Sequence, residues 1–448
     1  YVMSANVRGD GSNKLGEQAR FLPVYSVSAR WNMTDEPFMH SLLDVVPNLG
    51  LRISYGIQAN VTDAHNPNMV ISIGSLDMKS EEYYSVLSSL PNRGLKWEKT
   101  NSFNVGVDFD LFKGKLSGTF DYWYKKSKDQ LMNLEVTSTN GGKSVTINGG
   151  DLVNKGWDLA LSTTPVRTDN FTWNVTFNTS KAYNEVLTTA NQSVTYSEYL
   201  NGSLVRDGFA LNSFYSYRFA GLDENGIPMW YGLEDHDENG NVTVTTQEQA
   251  FESALVYSGR REPKISGGIS MGFSYKNFSL NSTFSMQFGS KIRLNDLYQG
   301  DDFKLPYPGQ NMNSDFVNRW RKPGDEKHTN IPALTDEYYS VRGEYADINK
   351  TSIMDNVSSN YWQMYNNADM RVVSGNFMRC NSLSLSYSFG ESVVKKLRLR
   401  SLYMSLGVSN PFVIKAKGLQ GRDPEQLTMG SGTIPPQQTY SFSLNVTF

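Results

Sequence analysis

The sequence predicts an all-β fold, a transmembrane antiparallel β-barrel with long extracellular loops. Three observations support this prediction: segments with alternating apolar and polar residues, an apolar final strand, and connections that alternate between short and long. Alternation places every second side chain on the same face of a strand, so each segment has one apolar and one polar face.

The final segment, residues 439–448, shows this pattern most clearly. Its apolar face consists of Tyr440, Phe442, Leu444, Val446 and Phe448. Terminal segments usually fray, yet this one stays apolar to its last residue. Such a strand suits a sheet that closes on itself in lipid, although a core strand of a soluble β-sandwich would share the pattern.

Composition narrows the class of protein. The 448 residues have a mean hydropathy of -0.46 and no apolar run long enough for a membrane-spanning helix, which excludes a helical membrane protein. The formal net charge is -3 without a basic block, so no nucleic-acid partner is predicted. Cys380 is the single cysteine, so no internal disulfide framework exists.

Twelve segments show the period of two that is typical of strands. They are 1–8, 24–31, 51–57, 103–111, 116–124, 157–161, 173–177, 265–275, 278–288, 383–389, 402–408 and 439–448. The count rises to fourteen if 213–219 and 229–233 belong to the barrel wall. Residues 35–46 begin with acidic residues and a proline and are expected to form a short helix.

The connections distinguish a barrel from a sandwich. Short ones lie at 113–114, 166–170, 276–277 and 390–396, and long ones lie at 58–95, 129–155, 184–263, 291–376 and 411–438. Outer-membrane barrels have short periplasmic turns and long outer loops. Placing Phe448 in the periplasm puts every short turn there.

This orientation predicts an aromatic girdle at the periplasmic end. Its members would be Trp31, Phe171, Tyr275, Phe278, Phe389 and Phe448. It also predicts a polar interior that contains Asp108, Asp110, Asp121 and Lys125.

Several short motifs resemble the barrel of SusC/RagA-like TonB-dependent transporters. They occur in order at 95–100, 106–108, 121–125, 148–157, 171–184, 319–325, 377–379, 409–412 and 421–425. Each motif is weak alone, but their order across nearly the whole chain makes the resemblance specific. Cys380 departs from the aliphatic residue expected after 377–379.

The resemblance implies that residues 1–448 are the C-terminal part of a barrel of roughly 22 strands, whose N-terminal plug and first strands lie outside this sequence. It implies active import of a nutrient, usually an oligosaccharide and sometimes a peptide, across the outer membrane of a Bacteroidetes-type bacterium. The expected partners are a SusD-like surface lipoprotein, the TonB complex, outer-membrane lipid and a second copy in a dimer of SusCD-type pairs.

Aromatic clusters in the predicted outer loops are candidate ligand-binding residues, because aromatic faces next to polar groups stack on sugar rings. We predict cargo contact for Trp230, Tyr231, Tyr361, Trp362 and Tyr365. The alternative is that these rings pack the loops together or form the lipoprotein interface.

No catalytic, metal or cofactor site is predicted. The four histidines are scattered, and Cys/His spacings for a metal are absent. Asp235, Asp237, Asn239 and Gly240 match half of a calcium loop, but Thr246 occupies the position of the final acidic ligand, which favours a simple turn. Residues 422–425 are likewise interpreted as a structural loop.

Two rival functions remain open. One is a passive porin or surface adhesion barrel without energy coupling, which would have no plug domain. The other is a soluble β-sandwich that binds carbohydrate, which would be extracted without detergent.

Overall fold

The computed structural model describes residues 1–61, 67–142, 144–190, 195–233, 244–298, 309, 311–334, 361–429 and 433–448. Its strands are β1 (Val2–Gly11), β2 (Phe21–Asn32), β3 (Asn48–Asn60), β4 (Val70–Leu76), β5 (Tyr83–Ser89), β6 (Glu98–Leu111), β7 (Leu116–Glu135), β8 (Ser144–Arg167), β9 (Phe171–Thr189), β10 (Ser213–Leu222), β11 (Pro228–Tyr231), β12 (Leu255–Arg260), β13 (Ile265–Tyr275), β14 (Phe278–Phe288), β15 (Lys291–Arg293), β16 (Val372–Ser374), β17 (Phe377–Ser388), β18 (Ser401–Lys415) and β19 (Thr439–Thr447).

The helices are short. They are α1 (Tyr196–Asn201), α2 (Gln247–Ala254), α3 (Tyr361–Asn366), α4 (Glu391–Lys396) and α5 (Pro424–Met429). The 3₁₀ turns are Glu17–Ala19, Met33–Asp35, Pro37–Leu42, Ser138–Asn140, Ser314–Asn318, Asp325–Lys327, Asp369–Arg371 and Lys417–Leu419. Within the described ranges, no helix has the length and apolar character needed to cross a membrane.

Twelve of the described strands form one antiparallel sheet, the wall, in the order β1-β2-β3-β6-β7-β8-β9-β13-β14-β17-β18-β19. The twelve predicted strands are confirmed, and wall strands that follow one another in the chain are also neighbours in the sheet. The strands β10 and β11, which would have raised the count to fourteen, pair with each other in a separate three-stranded sheet, in which β10 also pairs with β12. They therefore do not belong to the wall.

Cross-strand register aligns like residues over half of the wall. One apolar row joins six strands from β9 to β19 through Trp173, Phe273, Leu280, Leu385, Leu406 and Phe442. A polar row on the opposite face joins Thr176, Ser270, Thr283, Ser382, Ser409 and Thr439.

Four residues of the apolar row, from Leu280 to Phe442, are exposed on the outside of the wall, and Trp173 and Phe273 are half-buried. Leu406 is 52% exposed and Phe442 is 61% exposed. A contiguous apolar surface of this extent is unfavourable in water and favourable against hydrocarbon. The wall therefore presents its apolar face to lipid.

The two ends of the wall differ. One end, here called the short-turn end, has connections 33–47, 112–115, 168–170, 276–277 and 389–400. The other end, here called the long-loop end, has connections 12–20, 61–97, 136–143, 190–264, 289–376 and 416–438. The four longest connections all lie at the long-loop end, as predicted. The alternation is not complete, because 33–47 and 389–400 at the short-turn end are longer than 12–20 and 136–143.

Two predicted connections differ in detail. The expected loop at 129–155 is mostly strand, because β7 and β8 keep pairing as far as Glu135 and Ser144. At about 3.3 Å per residue the 24 residues of β8 span about 80 Å, far more than a bilayer requires, so this hairpin projects beyond the membrane. The helix expected at 35–46 is instead two 3₁₀ turns, the second of which begins at Pro37.

Aromatic rings line the short-turn end as predicted. Tyr275 pairs with both Phe171 and Phe278, and the Phe278 ring lies 4.6 Å from the Tyr387 ring. Lys276 Nζ lies 5.6 Å from the centre of the Tyr275 ring. Rings next to a cation are typical of the boundary between hydrocarbon and headgroups.

A compact structure, here called the loop body, covers part of the long-loop end. It consists of α1, α2, α3, the sheet β11-β10-β12 and the segments around Tyr298 and Phe316. Thr195 and Thr246 begin α1 and α2 with capping boxes, so the first turns of both helices are satisfied locally. The core is aromatic and includes Tyr199, Tyr215, Tyr217, Trp230, Phe251, Tyr298, Phe316, Tyr361, Trp362 and Tyr365.

Candidate functional site

The polar face of the wall carries a chain of ion pairs over neighbouring strands. Arg30 lies 2.5 Å from Asp108, and Arg52 lies 2.9 Å from Asp108 and 3.0 Å from Asp121. Register places Arg52, Gly106 and Asp121 directly side by side. As predicted, Asp108 and Asp121 lie on the face opposite the apolar row, and two arginines balance their charge.

Next to this network the inner face forms a concave cavity of about 1030 Å³. Its polar lining includes Asn6, Arg8, Gln58, Asn104, Trp123, Lys125 and Asp158. Trp123 Nε1 donates a hydrogen bond of 2.9 Å to Asp158, and Lys125 Nζ lies 5.6 Å from the Trp123 ring. The Trp123 indole can stack on a ring of a bound ligand, and the amide and charged side chains around it can hydrogen-bond the polar groups of that ligand.

Trp123 was not among the predicted ligand contacts. The signal was present, because Trp123 occupies a polar position in the alternation of β7, together with Asp121 and Lys125. An aromatic residue on the polar face of a wall strand faces the interior, whereas its neighbours Tyr122 and Tyr124 lie on the exposed apolar face. The position of each ring in the alternation of β7 therefore tells which face of the wall it lies on.

The predicted ligand-binding residues occupy different environments. Trp230, Tyr361, Trp362 and Tyr365 are buried in the loop body, with Trp362 5% exposed and Tyr365 2% exposed. Tyr231 is 54% exposed. Cargo contact remains a prediction, and in this conformation only Tyr231 presents a ring face.

The buried rings pack against one another. The Trp362 ring lies 5.3 Å from the Tyr298 ring and 5.7 Å from the Phe316 ring. Tyr361 Oη donates a hydrogen bond of 2.9 Å to the Ala333 carbonyl. The Trp230 ring lies 5.4 Å from Tyr217. This arrangement matches the alternative interpretation, in which the rings hold the loops together.

Burial also changes the acidity of groups in the loop body. It raises the pKa of Tyr215 to about 12 and raises the pKa of Tyr199 and Tyr365. Burial lowers the pKa of Arg371, whose Nη2 donates 2.5 Å to the Asn295 carbonyl. The tyrosines therefore remain neutral over the physiological range.

The charged motif at 421–425 has a structural role. Arg379 of β17 is buried and pairs with Asp423 at 2.6 Å and Glu425 at 2.7 Å. Arg422 pairs with Asp315 at 2.7 Å. The motif fastens the last long loop both to the wall and to residues 314–318, which confirms the prediction of a structural loop.

Some predictions concern residues outside the described ranges. The half calcium loop at Asp235, Asp237, Asn239 and Gly240 lies there. Among the described residues, no group of three or more His, Cys, Asp or Glu side chains is arranged to hold a metal ion.

Residues 268–272 read Gly-Ile-Ser-Met-Gly, the spacing of a nucleophile elbow. An elbow requires a sharp turn from a strand into a helix. Ser270 instead lies in the middle of β13, paired with Thr176 and Thr283. The sequence match has no catalytic geometry.

Comparison with known proteins identifies the family. The family described as TonB dependent receptor-like, beta-barrel, matches residues 4–248, more than half of the chain. The chain is 28% identical over 476 residues to the TonB-dependent receptor SusC of Bacteroides thetaiotaomicron, covering 100% of the chain and 42% of the relative. It is 25% identical over 502 residues to the TonB-dependent receptor P39 of Formosa agariphila, covering 100% and 45%.

Solved structures agree on the fold. The RagAB peptide importer in its closed-closed state matches with a TM-score of 0.75 at 22% identity, over 100% of this chain and 46% of that chain. The open-open state matches with a TM-score of 0.73 at 21% identity, over 100% and 45%. At this identity the likeness concerns the fold.

The chain belongs to the TonB-dependent receptor-like β-barrel family, which is a transporter family and not an enzyme family. It is a protein of the bacterial outer membrane that resembles SusC in sequence and the RagAB structures in fold along its whole length. The chain spans less than half the length of the curated relatives described above.

Proposed function

We propose that this chain is the C-terminal barrel portion of a transporter that imports a nutrient across the outer membrane with energy supplied through TonB. The observation that carries the proposal is the two-faced wall, which has an apolar exterior, a charged interior and its four longest connections at one end. The long-loop end would face outward, and the short-turn end would face the periplasm.

The edges of the wall support a larger barrel. Among the described residues, the strands β1 and β19 each pair with a wall strand on one side only. An unpaired edge within lipid leaves backbone groups without partners, at several kcal/mol each. We therefore infer that a segment of the whole protein other than residues 1–448 supplies the remaining strands, together with a plug.

The cargo we propose is an oligosaccharide or a peptide. The concave inner face near Trp123 offers a ring, amides and charges, which suit either class. Tyr231 would add an exposed ring at the long-loop end, where the Arg218 guanidinium lies 5.6 Å from its centre. A SusD-like lipoprotein covering the long loops, and a dimer of such pairs, complete the proposed assembly.

Uptake by whole cells tests the proposal. A strain with the full-length gene should accumulate a labelled oligosaccharide or peptide, and dissipating the proton gradient or deleting TonB should abolish accumulation. A passive porin would instead equilibrate its solute without energy. Uptake that survives loss of TonB would therefore overturn energy coupling and favour the porin.

A matched pair of tryptophans tests the inner face as a cargo surface. Trp123→Leu should weaken cargo binding by about 10-fold, since stacking and polar contacts to one ring contribute about 1–3 kcal/mol. Trp157→Leu makes the same chemical change on the opposite face of the wall, beside Phe120 and Tyr122, and should leave affinity unchanged. Equal losses of affinity in the two variants would refute the assignment of the inner face near Trp123 as a cargo surface.

A further inference from the structure

A second cavity, of about 460 Å³, lies between the loop body, β15 and α5. It is lined by Phe214, Arg261, Lys291, Arg293, Asp296 and Leu427 among others. The volume falls within the range of small-ligand sites. Its walls come from α1, β10, β15 and α5, so only the folded loops create it.

The cavity is strongly cationic. Three of the lining side chains named above are positive, and Asp296 is the one carboxylate in that set. Asp296 interacts electrostatically with Arg371, which also lies in this region. Within the described part of the chain, no carboxylate lies within 4.0 Å of Arg261 or Lys291.

Neutral groups hold the two arginines in place. The Arg261 and Arg293 guanidinium carbons lie 5.0 and 5.2 Å from the centre of the same Phe214 ring. The last carbonyls of α1 accept from them: Arg293 Nη1 donates to Leu200, and Arg261 Nη2 donates 3.1 Å to Asn201. These contacts orient both guanidinium groups, and the neutral carbonyl that Arg261 contacts does not neutralise its charge.

Two of the cations retain donors for a ligand. In the described residues, the Arg261 guanidinium group makes one hydrogen bond, to the Asn201 carbonyl, and the Lys291 ammonium group makes none. The aliphatic part of Lys291 packs against Gly259, whose φ of +114° excludes a side chain there. An anion in the cavity would therefore meet donors that are already positioned.

We propose that this cavity binds a carboxylate of the imported cargo, with Arg261 and Lys291 as its ligands and Phe214 as its apolar wall. The inference rests on the proposed import function and specifies the cargo as acidic. A guanidinium fork matches the two oxygens of a carboxylate, and such charged hydrogen bonds are stronger than neutral ones. The carboxylate would come from a uronic acid in an oligosaccharide or from the C-terminus of a peptide.

Binding to the purified full-length transporter with its lipoprotein partner, in detergent, tests this proposal by calorimetry. The probes are trigalacturonate against its methyl ester, and N-acetyl-trialanine against its amide. At least one acid should bind about 10-fold or more tightly than its neutral counterpart. The acid that does so identifies the source of the carboxylate.

Charge-removing variants then locate the site. Arg261→Gln and Lys291→Gln should each weaken the binding of the acid probe by about 10-fold and leave the affinity for the neutral probe unchanged. The control is Lys264→Gln, an exposed lysine three residues after Arg261 that does not line the cavity. Equal binding of acid and neutral probes, or a loss in the control as large as in Arg261→Gln, would overturn the proposal.

The two proposals fail separately. If cells import cargo in a TonB-dependent manner but acid binding ignores Arg261 and Lys291, only the carboxylate site is wrong. If acid binding depends on both residues but uptake needs no energy, the cavity stands and the energy-coupled import is wrong.

Discussion

Replacing Arg379 by methionine should release the last long loop from the wall. The Arg379 and Asp423 side chains are 5% and 10% exposed, and Arg379 Nη2 lies 2.8 and 2.6 Å from the two carboxylate oxygens. Removing one partner of a buried ion pair costs about 3–5 kcal/mol, because the other charge stays buried without compensation.

The lower end of that range applies here. Asp423 still accepts hydrogen bonds from the backbone N–H groups of Glu425 at 3.0 Å and Gln426 at 3.4 Å. At 1.36 kcal/mol per factor of ten, about 3 kcal/mol corresponds to roughly a 100-fold increase in local opening. The wall itself should remain folded, because its ladders do not depend on this pair.

Hydrogen exchange followed by mass spectrometry measures this opening directly in peptides covering residues 416–429. Lys395→Met is the matched control, because its ion pair with Glu391 is 77% and 86% exposed and should contribute less than about 1 kcal/mol. If Arg379→Met accelerates exchange at 416–429 no more than the control, the buried pair does not hold the loop.

Two further predictions concern the membrane face and the loop body. Phe442→Arg should destabilise the assembled barrel in lipid by about 2–4 kcal/mol, because it places a charge on the lipid-facing side of β19. Ser443→Arg, on the opposite face, should lower the free energy of unfolding far less. Equal losses of stability in urea unfolding would contradict the assigned orientation. Burial raises the pKa of Tyr215 to about 12, above the unfolded value near 10, so the folded loop body keeps this proton to a higher pH than the unfolded chain does. The free energy of unfolding of the loop body should therefore fall by up to about 3 kcal/mol as the pH rises from 10 to 12. Tyr215→Phe should reduce that decline in near-UV circular dichroism, and an unchanged slope would refute it.

The sequence alone determined the wall and its two faces. Alternation is a local property, because the side of a strand on which a residue lies depends only on its position along that strand. Phe442 and Asp121 were therefore assigned to opposite faces before any partner strand was known. The same local information located the turns at 113–114 and 276–277.

Tertiary structure decided what the long loops do with their aromatic and charged residues. A run such as Tyr361-Trp362 has the same sequence whether its rings pack inward or bind a ligand. Its place in the core follows from packing within the folded loop body, for example of Trp362 against Tyr298 and Phe316. The Arg379–Asp423 pair joins residues 44 positions apart.

The cationic cavity also exists only because of the tertiary structure. Phe214, Arg261 and Lys291 belong to separate segments, and no pattern within any one segment indicates that they meet. Local periodicity encodes which side of a strand faces lipid, but the closure of long loops over one another depends on non-local packing, which one sequence read along its length does not specify.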